Sequence, residues 1–236
     1  MTEQALTFTV NNQELLAISH YGSAQNNTGV LIIVGGPQYR VGSHRQFVQL
    51  SRTLAVQGIS SFRFDYTGMG DSCGEKKEFD DIGDDIKAAT DAFLTAQPHL
   101  QKIVIWGLCD AASAALMYAH QDERINGLVL LNPWLRSEQA MAKTMVKHYY
   151  VKRLLSKNFW KKLFRGKVNV AASARDAKGF VKDSIVTGQQ SSNSYQAEKL
   201  AGLQAYQRKG CLILSGEDFT ALEFDQKNKT SKTWRK

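Results

Sequence analysis

The chain has 236 residues, 43% of them hydrophobic, which is enough for one sizeable buried core. Residues 1–10 lack a basic segment followed by an apolar run, and no stretch of about 18 apolar residues occurs, so neither a signal peptide nor a transmembrane helix is predicted. The net charge of +8 would suit nucleic acid or an anionic membrane. However, much of the excess lies between Lys143 and Lys167, and the sequence has no nucleic-acid-binding motif, so nucleic acid is not expected as a partner.

The three cysteines predict a reducing compartment. Cys73, Cys109 and Cys211 lack CxxC spacing, and an odd number cannot complete a disulfide framework. We therefore expect a cytoplasmic protein. No zinc spacing or Walker pattern is present, so no metal or other cofactor is predicted.

Short apolar runs alternate with longer helical patterns, which is typical of βαβ units and a mostly parallel sheet. The first two strands are expected to form an antiparallel hairpin around Asn11 and Asn12, because asparagine tolerates tight turns. The predicted strands, in chain order, are Ala5–Val10, Leu15–Ser19, Val30–Val34, Ser60–Phe64, Lys102–Trp106, Gly127–Leu131 and Cys211–Ser215.

Helices are predicted at Ser43–Gln57, Phe79–Thr95 and Asp110–His120, with a pair or more between Ser137 and Arg165. The polar run Ala172–Ala197 is interpreted as loop or mobile cap. The expected organisation is therefore a core at residues 1–133, a cap inserted after the sixth strand at residues 134–199, and the remainder of the core at residues 200–236.

The most informative segment runs from Ile103 to Ala115, where an apolar strand leads through Gly107-Leu108-Cys109-Asp110-Ala111 into an alanine-rich helix. This small-x-Cys-x-small pattern resembles the nucleophile elbow, with cysteine in the usual serine position. The helix N-terminus favours a thiolate, whereas the Asp110 carboxylate opposes it. The alternatives are a buried structural cysteine and, more weakly, Ser113 as nucleophile.

Two glycine-containing loops accompany the elbow. Residues 34–38, Val-Gly-Gly-Pro-Gln, follow the third strand, where a backbone N–H would join that of Asp110 in an oxyanion hole. Pro37 has no N–H, so Gln38 or Gly36 would be the second donor. The loop after the fourth strand contains Asp65, to which we assign a structural role in binding backbone N–H groups.

Asp218 follows the seventh strand, where a triad acid would be expected to orient a histidine. Considered alone, an aspartate in the Ser215-Gly216-Glu217-Asp218 turn would more often be a turn former. The order of Cys109 before Asp218 along the chain favours the catalytic interpretation.

These motifs together resemble the α/β-hydrolases, in particular the branch associated with the bacterial exosortase A system. That resemblance implies an α/β-hydrolase fold with helices on both faces of a twisted sheet. It also implies an enzyme linked to exopolysaccharide production, with a cysteine nucleophile acting on an ester or thioester. The matching segments are residues 35–47, 64–66, 68–72, 107–110, 130–134, 215–216 and Asp218.

The resemblance also implies a last strand and a histidine after the acid, and neither is found before Lys236. We therefore expect impaired turnover and a seventh strand at the sheet edge. His44 and His148 are the candidates for a substitute base. His120 is expected at the far end of its helix, and His20 and His99 are expected in surface loops.

The segment Lys143–Lys167 mixes cations with aromatic and aliphatic residues at helical spacing, as interfacial helices do. It indicates an anionic membrane surface as a possible partner, or a cap covering the pocket. The alternative function is thus a catalytically inactive hydrolase-fold module that binds a membrane or a protein.

Overall fold

The computed structural model describes residues 2–36, 38–135 and 191–231. By its internal contacts the chain divides into two compact units. The first comprises residues 1–134 and 198–214, and the second comprises residues 135–197 and 215–236. The predicted helices between residues 137 and 165 lie outside the described residues, and the predicted three-part division of the chain stays a prediction.

A seven-stranded sheet forms the centre of the first unit. Its strands are β1 Glu3–Val10, β2 Gln13–His20, β3 Thr28–Ile33, β4 Ser60–Phe64, β5 Lys102–Leu108, β6 Ile125–Leu131 and β7 Lys209–Ile213. They lie in the order β1-β2-β4-β3-β5-β6-β7. The first two pairs in this order are antiparallel and the other four are parallel, which confirms the mostly parallel sheet.

Asn11 and Asn12 connect β1 to β2 with φ of 48° and 64°. Two consecutive positive φ values are the requirement of the tight hairpin turn that matches strand twist, and asparagine tolerates them. The predicted hairpin is confirmed.

Five helices are described: α1 Gln46–Val56, α2 Gly83–Ala96, α3 Asp110–Tyr118, α4 Ser191–Ala205 and α5 Phe219–Thr230. Short 3₁₀ turns at Ser43–Arg45 and Ala119–Gln121 account for the ends of two longer predicted helices. Of the two alternatives for Ala172–Ala197, loop or mobile cap, the loop is wrong from Ser191 onward, where α4 begins, and the cap stays a prediction. The sequence of α4 has a weak apolar stripe, so periodicity gave little signal for a helix.

The buried core of the first unit packs on the middle strands. β4 is buried at all five positions, as expected for a strand covered on both faces. The rings of Phe62 and Phe93 stack with centroids 5.2 Å apart, joining β4 to α2. Because β3, β5 and β6 are parallel neighbours, the loops that follow their carboxyl ends lie at one edge of the sheet.

Among the described helices, none has both the length and the apolar character needed to cross a bilayer.

Candidate active site

Cys109 occupies a sharp turn between β5 and α3. Its φ of 60° and ψ of −117° lie in a region that residues other than glycine rarely adopt. Such a conformation costs about 1–3 kcal/mol and persists only where the surroundings enforce it. The side chain is partly exposed rather than buried in the core, and all three cysteines are thiols rather than disulfides.

Small residues around Cys109 make this turn possible. A Cβ atom added to Gly107 would lie 2.8 Å from the backbone C and O of Ala111, too close for any real contact. Because the opposing atoms are backbone, they cannot move aside as a flexible side chain would. The glycine two residues before Cys109 is therefore a steric requirement of the turn.

Three backbone hydrogen bonds fix the peptide groups of Cys109. Its N–H donates to the carbonyl of Leu131 at 2.9 Å. Its carbonyl accepts from the N–H groups of Ser113 at 3.3 Å and Trp134 at 3.2 Å. The turn is thus attached both to the end of β6 and to the segment that follows β6.

Ser113 is fully buried on α3, and its hydroxyl donates to the Trp134 carbonyl at 2.6 Å. Its side chain therefore has no solvent access. This burial argues against the weaker alternative of Ser113 as nucleophile.

The carboxylate of Asp110 joins the elbow to the loop after β3. Oδ2 accepts the Gly36 N–H at 2.7 Å, and Oδ1 accepts the Ala111 N–H at 2.9 Å. A Cβ atom on Gly35 would lie 2.0 Å from Oδ1, so this approach requires glycine. Burial raises the pKa of Asp110 above its usual range, although N–H bonds from Gly36, Ala111 and Asp110 itself oppose the shift.

This geometry separates the two candidate oxyanion donors. The Gly36 N–H donates to the Asp110 carboxylate, which favours Gln38 as the second donor. The Asp110 N–H also interacts with this carboxylate and would have to leave it to bind an oxyanion. The Gln38 side chain accepts hydrogen bonds from the Ser43 N–H at 3.2 Å and Gln46 Nε2 at 3.0 Å, which anchor the loop to the start of α1. The oxyanion role of the Gln38 and Asp110 amides stays a prediction.

Asp65 has the structural role expected from the sequence. Its carboxylate accepts the backbone N–H of Arg40 at 2.5 Å and that of Asp71 at 3.1 Å, and it pairs with the Arg40 guanidinium. A Cβ atom on Gly70 would lie 2.2 Å from Asp65 Oδ2. Asp65 thereby connects the loop after β4 to the loop after β3, on which Gln38 lies.

Lys199, which lies on α4 and is fully buried, was not among the residues that the sequence singled out. Its ammonium donates to the Trp134 carbonyl at 2.7 Å and lies 4.9 Å from the centroid of the Phe79 ring. A lysine on a weakly amphipathic helix reads as an exposed residue, so no pattern could have identified it.

The histidines lie in different environments. His44 is exposed, in a left-handed conformation within the turn before α1, and His120 is exposed in the turn after α3, as predicted. The prediction that His20 lies in a surface loop is wrong: it ends β2, is fully buried, and its Nε2 accepts from Arg63 Nε at 3.0 Å. His99 is half-buried in the loop before β5, and His148 lies outside the described residues.

Asp218 belongs to the second unit. It is exposed and caps the N-terminus of α5, where its Oδ1 accepts the Ala221 N–H at 3.0 Å. This local hydrogen bond fits the alternative that Asp218 is a turn former. Its role as triad acid stays a prediction. The basic segment Lys143–Lys167 lies outside the described residues.

A cavity of about 650 Å³ lies in the first unit between α2, α3 and α4. Its lining includes Met117 and Tyr118 from the end of α3 remote from Cys109, together with several charged residues of the neighbouring helices and loops. Cys109, Asp110 and Gln38 do not line it, so this cavity is separate from the elbow. Within the described residues, no three histidine, cysteine, aspartate or glutamate side chains are arranged to hold a metal ion.

Comparison with known proteins places this geometry in a family. The family profile described as serine aminopeptidase, S33 matches residues 25–210, which include the elbow and both loops that support it. No curated protein sequence matches the chain at a significant level.

Several solved structures share the fold. An esterase of Pyrococcus furiosus superposes with a TM-score of 0.63 at 17% identity, covering 97% of this chain and 78% of the other. DcsB, solved with a substrate analogue, gives 0.55 at 13% identity with 99% of both chains covered. The α/β-hydrolase GrgF of a Penicillium species gives 0.55 at 14% identity, covering 92% of this chain and 91% of the other.

At these identities the structural likeness establishes the fold alone, whereas the profile covers most of the sequence. The chain therefore belongs to the serine aminopeptidase S33 family of hydrolases and has the α/β-hydrolase fold.

Proposed function

We propose that the chain is an acyl hydrolase in which the Cys109 thiolate attacks the carbonyl carbon of a small-molecule ester or thioester. The observation that carries this proposal is the strained conformation of Cys109, with φ of 60° and ψ of −117°, at the turn from β5 into α3. A strained residue at such a turn is typical of functional sites, because the strain presents the side chain to a substrate.

The chemistry divides into two steps. In acylation, sulfur bonds to the carbonyl carbon and the C–O or C–S bond to the leaving group breaks, while the N–H groups of Gln38 and Asp110 stabilise the oxyanion. The leaving group departs as an alkoxide or thiolate and takes a proton from water. In deacylation, water attacks the thioester and releases the acid, which requires a base to remove a proton from water. Asp218 is proposed to orient that base, and His44 and His148 are the candidates within this chain.

Three further features support or refine the proposal. The structurally similar Pyrococcus protein is an esterase. The motifs in residues 35–47 and 107–110 support membership of the exosortase A-associated branch, which would place the enzyme in the cytoplasm of an exopolysaccharide-producing bacterium. The Lys143–Lys167 segment is proposed to contact anionic lipid. Flotation of the protein with phosphatidylglycerol vesicles at low salt tests this contact, and an absence of binding would refute it.

A single-turnover experiment tests acylation without depending on the deacylation base. Cys73 and Cys211 are exposed and would react chemically, so the protein should carry Cys73→Ser and Cys211→Ser, leaving Cys109 as its one thiol. Incubation with p-nitrophenyl acetate should release about one p-nitrophenolate per chain and leave one acetyl group on Cys109, detected by intact mass and peptide mapping.

The matched control adds Cys109→Ala to the same background and should show neither the burst nor the adduct. Equal p-nitrophenolate release by both proteins, with no mass shift in either, would eliminate covalent catalysis and favour the inactive binding module. His44→Gln and His148→Gln should leave the acylation burst intact, and the one that removes the base should slow deacylation about 100-fold or more.

A further inference from the structure

The lysine on α4 makes contacts that a surface lysine does not. Lys199 is fully buried, and its Nζ lies 2.7 Å from the Trp134 carbonyl oxygen and 4.9 Å from the centroid of the Phe79 ring. Removing an ammonium from water is costly unless acceptors and aromatic faces replace the water. The close approach of α4 to α3 depends on Gly202, since a Cβ atom there would lie 2.2 Å from the Leu116 carbonyl.

Trp134 connects this lysine to the elbow. Its carbonyl accepts from both Lys199 Nζ and Ser113 Oγ, at 2.7 Å and 2.6 Å. Its N–H donates to the Cys109 carbonyl at 3.2 Å, and its ring lies 5.8 Å from that of Phe79. Trp134 is thus held through its carbonyl and its ring, and it holds Cys109 through its N–H.

We propose that Lys199 is a positioning residue for the Cys109 nucleophile, acting through Trp134. Its hydrogen bond to the Trp134 carbonyl fixes the backbone of Trp134, whose N–H holds the Cys109 carbonyl in the direction given by its ψ of −117°. Lys199 is linked to Cys109 by two hydrogen bonds, one on each side of Trp134. Its positive charge favours the thiolate form of Cys109 over the thiol. The inference rests on the proposed function, because orienting this sulfur matters only if the sulfur reacts.

The test uses alkylation of Cys109 by iodoacetamide, which needs no substrate turnover. Rates are measured from pH 5 to 10 in the Cys73→Ser, Cys211→Ser background for the parent, Lys199→Met and Lys199→Arg. Thr90→Val is the matched control, because Thr90 is also fully buried but its hydroxyl bonds Ile86 O within α2.

Lys199→Met keeps the length and apolar stem of the side chain but removes its charge and its donor. Its alkylation rate at pH 7 should fall about 3- to 10-fold, with the midpoint of the pH profile raised by about half to one unit. Lys199→Arg should restore the midpoint, because it retains a charged donor, and Thr90→Val should match the parent. A lysine that served only stability would lower the melting temperature without moving the midpoint.

An unchanged midpoint and rate in Lys199→Met, or changes equal to those of Thr90→Val, would overturn the proposal. If Lys199→Met does not fold by circular dichroism, Lys199→Gln replaces it, because it retains a hydrogen-bond donor but removes the charge. The midpoint of its alkylation profile should rise, and an unchanged midpoint would overturn the proposal. If Lys199→Met raises the midpoint of the alkylation profile but p-nitrophenyl acetate leaves no acetyl adduct on Cys109, the hydrolase proposal is refuted and the positioning role of Lys199 stands.

Discussion

Burial of His20 makes the stability of the protein depend on pH in a calculable way. Desolvation, reinforced by the charge of Arg63, lowers the pKa of His20 from 6.5 to about 4, while Glu3 opposes the shift. Its Nε2 accepts a hydrogen bond from Arg63 Nε, which requires the neutral imidazole. Between pH 6.5 and 4 the unfolded chain therefore binds more protons than the native one, and the free energy of unfolding falls as the pH falls.

The magnitude follows from the difference of about 2.5 pKa units, at about 1.36 kcal/mol per unit. The full effect is about 3 kcal/mol, and about 2.4 kcal/mol of it is lost between pH 7 and pH 4.5. That loss is a large part of a typical free energy of unfolding of about 5–15 kcal/mol.

Urea unfolding at pH 7, 5.5 and 4.5 measures this effect in the parent and in His20→Gln, whose side chain cannot titrate. The variant should be less stable at pH 7, because a buried contact changes, but should lose about 2 kcal/mol less than the parent on acidification. Carboxylates common to both proteins cancel in the comparison. His120→Gln, at an exposed histidine, should follow the parent. Parallel curves for the parent and His20→Gln would refute the argument that His20 is held neutral.

Two further predictions concern the elbow. Gly107→Ala places a Cβ atom 2.8 Å from the Ala111 backbone, so it should cost about 1–3 kcal/mol of unfolding free energy in urea and slow alkylation of Cys109 by iodoacetamide. Gly83→Ala meets nothing within 4 Å, so it should keep or slightly raise the unfolding free energy and leave the alkylation rate unchanged. Equal stability and reactivity of the two variants would contradict the steric account. Asp110→Asn removes a negative charge beside the thiol and should lower the midpoint of the Cys109 alkylation profile, opposite in sign to Lys199→Met. Because the pKa of Asp110 is raised in the folded protein, its ionisation lowers the free energy of unfolding of the parent as the pH rises through the carboxyl range. Urea unfolding between pH 3.5 and 7 should therefore show a smaller loss of this free energy in Asp110→Asn. A larger loss in the variant than in the parent would contradict the raised pKa.

Local chemistry explains why much of the fold was predictable. Ser60–Phe64 was predicted with the bounds that the structure has, because its two phenylalanines lie in a short run between glycine-containing turns. The Asn11-Asn12 turn and the passage from β5 through Cys109 into α3 were predictable for the same reason, since each depends on residues adjacent in the chain. Helix α4 was not, because its sequence has neither a strong apolar stripe nor a clear starting signal.

The sequence by itself therefore determined the class of fold, the turn on which Cys109 lies and the structural role of Asp65. Only the tertiary structure decided which groups those residues meet. The Asp110 carboxylate takes the Gly36 N–H, His20 is buried against Arg63, and Lys199 reaches Trp134 across 65 positions of the chain. Periodicity and local motifs report a residue's own element, whereas burial and charge pairing depend on elements brought together by the sheet, and that pairing is absent from any local window of sequence.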